Sequence, residues 1–152
     1  MNDEVDTEGR RRAMGALASM PAELLAERYG ALSGAAPAAV PVRGPEVGLV
    51  MLRGRAGGGG AAFNLGEASV VRATVKLGSG EVGHAVILGR DAGRARMAAH
   101  LDALWQRPDW RPRVEAEVVV PGLAAEAAAA ESRAEETEAT RVNFFTLVRG
   151  ED

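Results

Sequence analysis

The chain contains no cysteine. That absence excludes disulfides, thiolate zinc sites, cysteine nucleophiles and iron–sulfur ligation by this chain alone. Imidazole is nearly as scarce. His84 and His100 are the two histidines, and they show no HExxH or related spacing, so no metal site is expected from this chain alone. Aromatic residues are few: 3 Phe, 2 Trp and 1 Tyr. No apolar run reaches the roughly 18–20 residues of a membrane span, and no membrane partner is expected. Residues 1–9 are acidic and no apolar stretch follows the arginine run, so no cleavable leader is expected and the expected location is cytoplasmic. The net charge is −3, with acids and bases interleaved, which argues against a nucleic-acid surface.

What remains is a globular composition, 47% apolar and 26% charged over 152 residues. The length suits a single domain, 1–152, with a respectable core. Residues 1–9 read as frayed. Met14, Leu17 and Ala18 recur at helical spacing after Arg10. Ser19 is expected to cap a second helix that carries Pro21 in its first turn and Leu24, Leu25, Tyr29 and Leu32 on its face. Residues 33–46 hold Pro37, Pro41 and Pro45 and read as an extended connector.

A β-type texture follows. Residues 47–55 form an apolar run, and 68–77 alternate, with Val71, Ala73, Val75 and Leu77 against Arg72, Thr74 and Lys76. The turn GSGE at 78–81 leads into a partner strand at 82–90, the strongest hairpin signal in the chain. Asp91 is expected to cap a helix through Gln106, with Met97, Leu101, Leu104 and Trp105 on one side. Residues 107–113 hold two prolines and break it. VEAEVVV at 114–120 reads as a strand ended by Pro121 and Gly122, and 123–141 as a long helix. The expected class is α+β: an antiparallel β-sheet with N-terminal helices, a middle helix and a long C-terminal helix followed by a terminal strand.

Two places invite an anion. Gly57, Gly58, Gly59 and Gly60 could approach phosphate with bare amides, yet GK[ST] and a following helix are missing, and a flexible strand connection is the simpler reading. Arg90 and Asp91 stand where a strand meets a helix N-terminus; the simpler reading is that Asp91 caps the helix. His84 and His100 read as structural, and no triad can be argued for either. The acidic helix 123–141 has an apolar side that is nearly all alanine, so it docks weakly by hydrophobicity alone and either packs closely against another helix or reaches a partner.

The tail RVNFFTLVRGED, 141–152, holds two of the three phenylalanines. As a strand it places Val142, Phe144, Thr146 and Val148 on one face and Asn143, Phe145, Leu147 and Arg149 on the other. Both faces carry large apolar groups, so both require cover. A second polypeptide could supply it, or the chain's own sheet.

ATRVNFFTLVRGED resembles the C-terminal signature of the PhnG family of the bacterial carbon–phosphorus lyase system. So do NLGEASVVRATVKLGSGEVGHAVILGRDAGRARMAAHLDAL and the early MPAEL, and the likeness runs from about Arg12 to Gly150. Where the family tail commonly has Asp before the two phenylalanines, this chain has Asn143. The resemblance implies an accessory subunit of a hetero-oligomer, closest to PhnI, with PhnH, PhnJ and PhnL-type partners. It implies a part in displacing adenine from ATP by a phosphonate, giving a ribose 1-phosphonate 5-triphosphate. It implies no cofactor bound by this chain alone, with S-adenosylmethionine and an iron–sulfur cluster serving the later lyase step on another subunit. The residues that would dock to the partner are Val142, Asn143, Phe144, Phe145, Leu147, Val148 and Arg149. A self-sufficient phosphate- or nucleotide-binding domain using Gly57–Gly60 and Arg90 is the alternative.

Overall fold

A computed structural model describes residues 6–56 and 59–140. Among them, helices α1 (Thr7–Ser19) and α2 (Ala22–Ser33) precede three strands, β1 (Ala39–Gly54), β2 (Phe63–Leu77) and β3 (Val82–Leu88). Then come α3 (Ala92–Trp105), a short α4 (Arg111–Val114), a π-helical turn (Glu115–Val119) and α5 (Val120–Ala139). The sheet is antiparallel in the order β1-β2-β3, so the architecture is α+β. The terminal strand expected at 142–149 lies outside the described residues.

The alternation in β2 becomes a two-faced strand. Val71, Ala73, Val75 and Leu77 are buried beneath α3, while Arg72 and Lys76 are exposed. In β3 the buried set is Gly83, Ala85 and Ile87, which leaves His84, Val86 and Leu88 on the open face. β1 pairs with β2 along its whole length, from Ala39 opposite Leu77 to Gly54 opposite Phe63. It therefore begins inside the stretch expected to be a connector. β3 pairs only with Val70 to Lys76 of β2. The far half of the β1–β2 hairpin thus continues as a two-stranded ribbon.

Two local expectations are corrected. Residues 114–120 are helical, not a strand. Val114, Val118 and Val119 are all fully buried at positions i, i+4 and i+5, and that helical stripe overrides the β-branched preference. Pro121 and Gly122 do not end the element. The π turn, in which the Val120 amide donates to the Glu115 carbonyl, widens the helix just ahead of the proline, where its ring would otherwise press on the preceding turn. Ser19 does not cap α2. Its hydroxyl donates back to the Gly15 carbonyl at 3.0 Å, and α2 starts on Pro21 without a side-chain cap.

The layers are pinned by one buried carboxylate. Asp102 on α3 is 1% exposed. It accepts from Arg10 Nε at 2.9 Å and Nη2 at 2.7 Å, and from the His84 backbone amide at 2.8 Å. α1, α3 and β3 are joined at this point. Beside it, β3 lies so close to α3 that a Cβ on Gly83 would land on the Ala99 carbonyl and come within 2.6 Å of the Ala103 amide nitrogen. α5 begins with a similarly close approach, Gly122 against Met20 and Ala16 of α1. From Glu126 to Ala139 every residue is exposed.

Removing one member of a buried ion pair leaves the other without compensation. Asp102→Ala is expected to lower the unfolding free energy by about 3 kcal/mol, the low end for such a loss because Arg10 is partly solvated. Urea unfolding of the purified chain would show a lower midpoint at an unchanged slope.

Candidate functional site

Two clefts flank the helical layer. The first, about 320 Å³, is lined by Tyr29, Ala39, Pro41, Gly44, Pro45, Val75, Arg96 and His100. His100 Nε2 lies 2.8 Å from the Pro37 carbonyl, which can only accept, so this nitrogen carries the proton. Nδ1 then accepts from the Tyr29 hydroxyl at 2.9 Å. The Tyr29 ring meets the imidazole edge-on at 5.7 Å. Burial holds the His100 imidazole below its ordinary pKa, against a weaker opposite pull from the Pro37 carbonyl. Burial also raises the Tyr29 hydroxyl above its ordinary value. Arg96, one turn before His100 on α3, is exposed at the rim.

The second cleft, about 640 Å³, is lined by Thr7, Arg10, Arg11, Met14 and His84. The exposed His84 ring meets the Thr74 hydroxyl through Nδ1 at 3.1 Å. Arg10 is committed to Asp102, whose carboxylate raises the guanidinium's pKa. Neither cleft joins an imidazole to a carboxylate and a nucleophile. Among the described residues no cluster of three or more His, Asp or Glu side chains could hold a metal ion.

The anion candidates fall in separate places. Arg90 is exposed in the turn between β3 and α3. Asp91 caps α3, its carboxylate accepting from the Arg94 amide at 2.9 Å. A carboxylate thus already sits on the helix N-terminus next to Arg90. Gly59 and Gly60 are exposed in the β1–β2 connection, while Gly57 and Gly58 lie outside the described residues. The turn after β3 meets β2 at Ser69, whose carbonyl accepts from the Gly89 amide, and the glycine connection enters β2 at Phe63. Six residues of strand at ~3.3 Å each put about 20 Å between them. The structure does not bring Arg90 and the glycine connection together. Val142, Asn143, Phe144, Phe145, Leu147, Val148 and Arg149 all lie outside the described residues.

Sequence reasoning did not foresee the partnership of Arg10 with Asp102 or that of Tyr29 with His100. The partners are 92 and 71 positions apart, and no local spacing reports such a pairing. The one available signal was an acid, Asp102, between Leu101 and Ala103 on the apolar side of α3.

Comparison with known proteins bears on what these surfaces serve. The family described as "Phosphonate metabolism protein PhnG" matches residues 8–150. A protein of Rhizobium meliloti (strain 1021), "Alpha-D-ribose 1-methylphosphonate 5-triphosphate synthase subunit PhnG", is 52% identical over 153 residues, which cover 99% of this chain and 96% of that protein.

The His100 environment makes stability depend on pH in a defined direction. The folded state favours the neutral ring, whereas the unfolded ring protonates near pH ~6.5. Its contribution is complete above that value and is lost as pH falls below about 6.5 toward the lower folded-state pKa. Thermal unfolding between pH 7 and 5 is expected to show a steeper fall in midpoint for the native chain than for His100→Gln, which cannot take a charge.

Proposed function

This chain belongs to the PhnG family of phosphonate metabolism proteins, and from that premise we propose that it is an accessory subunit of an alpha-D-ribose 1-methylphosphonate 5-triphosphate synthase within a carbon–phosphorus lyase assembly. The observation that carries the reading is the 52% identity to a named synthase subunit over 99% of the chain. The geometry supports it from another direction. The deeply placed ionisable groups are committed to packing: Asp102 to Arg10 and the His84 amide, His100 to Tyr29 and Pro37. The chain's part is to shape and hold an assembly in which ATP and a phosphonate react.

In this reading the assembly is a cytoplasmic hetero-oligomer with PhnI, PhnH, PhnJ and PhnL-type subunits, PhnI being nearest. S-adenosylmethionine and an iron–sulfur cluster belong to another subunit, because this chain has no thiolate to offer. The tail from Val142 to Arg149 docks as a strand covered on both faces. Arg90 is the one side chain we assign to an anionic group of a shared site, being an exposed guanidinium in the turn between β3 and α3.

Co-expression with PhnI-, PhnH- and PhnL-type partners tests the reading. The assembled set is expected to convert ATP and methylphosphonate to the ribose triphosphate product with release of adenine, and omission of this chain to abolish turnover. Full turnover without it, or turnover by the chain alone, would overturn the proposal. Phe144→Ala with Phe145→Ala is expected to weaken assembly by at least roughly 100-fold, from about 1.5 kcal/mol or more per buried ring, while leaving the thermal midpoint of the isolated chain nearly unchanged. Arg90→Ala is expected to leave assembly intact and to raise the KM for ATP or methylphosphonate by roughly tenfold.

A further inference from the structure

The open face of the sheet, away from the helices, gathers four polar side chains in one recess. Arg43 on β1 lies opposite Thr74 on β2, and Thr74 lies opposite His84 on β3, so the three form a row across all three strands. Arg72, two residues before Thr74, stands in the next row, with Glu46 opposite it. Arg43, Arg72, Thr74 and His84 line a recess of about 160 Å³, and no carboxylate is among its lining residues.

The chain departs from regular strand geometry to build this row. Arg43 and Glu46 are three residues apart and would face opposite sides of a regular strand. Their partners, Thr74 and Arg72, are two apart and share a side. An extra residue of β1 between them turns both side chains to the open face; bulges re-aim side chains in this way. Gly44 in the bulge has φ +69°, and a Cβ there would come within 2.6 Å of the Arg72 carbonyl oxygen. The geometry that brings Arg43 to the recess therefore excludes a side chain at this position.

Positive charge is in excess at the recess. Glu46 Oε1 lies 2.7 Å from Arg43 Nη2 and 3.3 Å from Arg72 Nη2, so one carboxylate oxygen serves two guanidiniums. His84 Nδ1 meets the Thr74 hydroxyl at 3.1 Å, while Nε2 has no partner among the described residues. With the hydroxyl donating to Nδ1, Nε2 carries the proton and can donate to a bound group. We propose that the recess binds a tetrahedral dianion, the PO3 head of a phosphate or phosphonate compound. Arg43 and Arg72 supply the charge, His84 Nε2 supplies a hydrogen bond, and Thr74 holds the imidazole in place. A carboxylate ligand would only replace Glu46, which is already tethered there; a dianion brings twice the charge and three acceptor oxygens. The recess is smaller than the ~300 Å³ at which sites for drug-sized ligands begin, which suits a head group alone. It is separate from Arg90, which stands in the turn beyond β3.

The scarcity of histidine gives a direct test, since the two ring signals are separable by NMR and His100→Gln assigns them. The full-length chain is titrated with inorganic phosphate, methylphosphonate, ATP and acetate at constant ionic strength and about pH 8, where phosphate is dianionic. Phosphate and methylphosphonate are each expected to move the His84 signal to saturation while the buried His100 signal stands still. Acetate over the same range is expected to move neither. Saturation by ATP at a lower concentration than by the two small dianions would uphold the site and identify a nucleotide's terminal phosphate as its source; the reverse order would uphold it and identify a small free dianion. Arg43→Gln with Arg72→Gln is expected to weaken binding by at least roughly tenfold, with the His100 signal and the thermal midpoint showing that the fold is kept. Glu46→Gln removes the competing carboxylate and is expected to tighten binding roughly threefold. No saturable movement of His84, an equal response to acetate, or undiminished binding by the double Arg variant would overturn the proposal. Should the double variant not fold, unchanged or weaker binding by Glu46→Gln would overturn it.

Discussion

A buried carboxylate must be satisfied completely or it destabilises the fold, and Asp102 meets that demand with three donors from two other elements. Bringing a carboxylate out of water costs several kcal/mol, which only good geometry offsets. Here the geometry is a two-pronged guanidinium from Arg10 and the His84 backbone amide. The three donors fix the angle of α1 to α3 and the distance of β3 from both. Gly83 is the counterpart of that constraint: with β3 held by Asp102, no side chain fits between the strand and Ala99. The same cluster occupies the beginning of one edge of the sheet. The Val82 carbonyl accepts from Gln106 Nε2 at 2.8 Å and from Arg10 Nη2 at 3.3 Å, and the His84 amide is taken by Asp102, so the outer rim is occupied at the start of β3.

Among the described residues the opposite edge and the opposite face receive no such treatment. Helices cover one side of the sheet, and β1 runs past β3 into a ribbon that has no third strand among the described residues. α5 likewise leaves the body, exposed at every residue from Glu126 to Ala139. The molecule therefore divides into a closed body and long extensions. The body has the packed core, the satisfied ion pair and the two histidines with partners. The extensions carry apolar or acidic surface that the body does not use. Exposed apolar ribbons carry an aggregation penalty, and ordered extensions cost conformational entropy.

How much of this was legible depended on whether the cause was local. The β2–β3 hairpin was readable because period-2 alternation and the GSGE turn both act within a few residues. The Asp91 cap was readable for the same reason. The segment at 114–120 misled because its valines favour a strand by type, while burial at Val114, Val118 and Val119 depends on what α1 and α3 present to them. Ser19 misled because its hydroxyl had a nearer acceptor in its own helix. The clefts were illegible, since each is closed by residues distant in sequence. The strand at 47–55 was recognisable as apolar, but nothing local says that its partner strand would outrun the third.

The two extensions also explain why a resemblance could be specific in a chain with no catalytic motif. Motifs for chemistry are short because a reacting centre needs a few groups in fixed places. Surfaces for assembly are long because affinity is spread over area and anchored by a few large side chains. The family match runs from residue 8 to 150 and so takes in the ribbon and reaches into the tail as well as the body. The identity with the Rhizobium meliloti protein covers 99% of this chain, so that protein matches it through the ribbon too. A phosphate-binding loop would have been recognisable in eight residues; a subunit is recognisable only along its length.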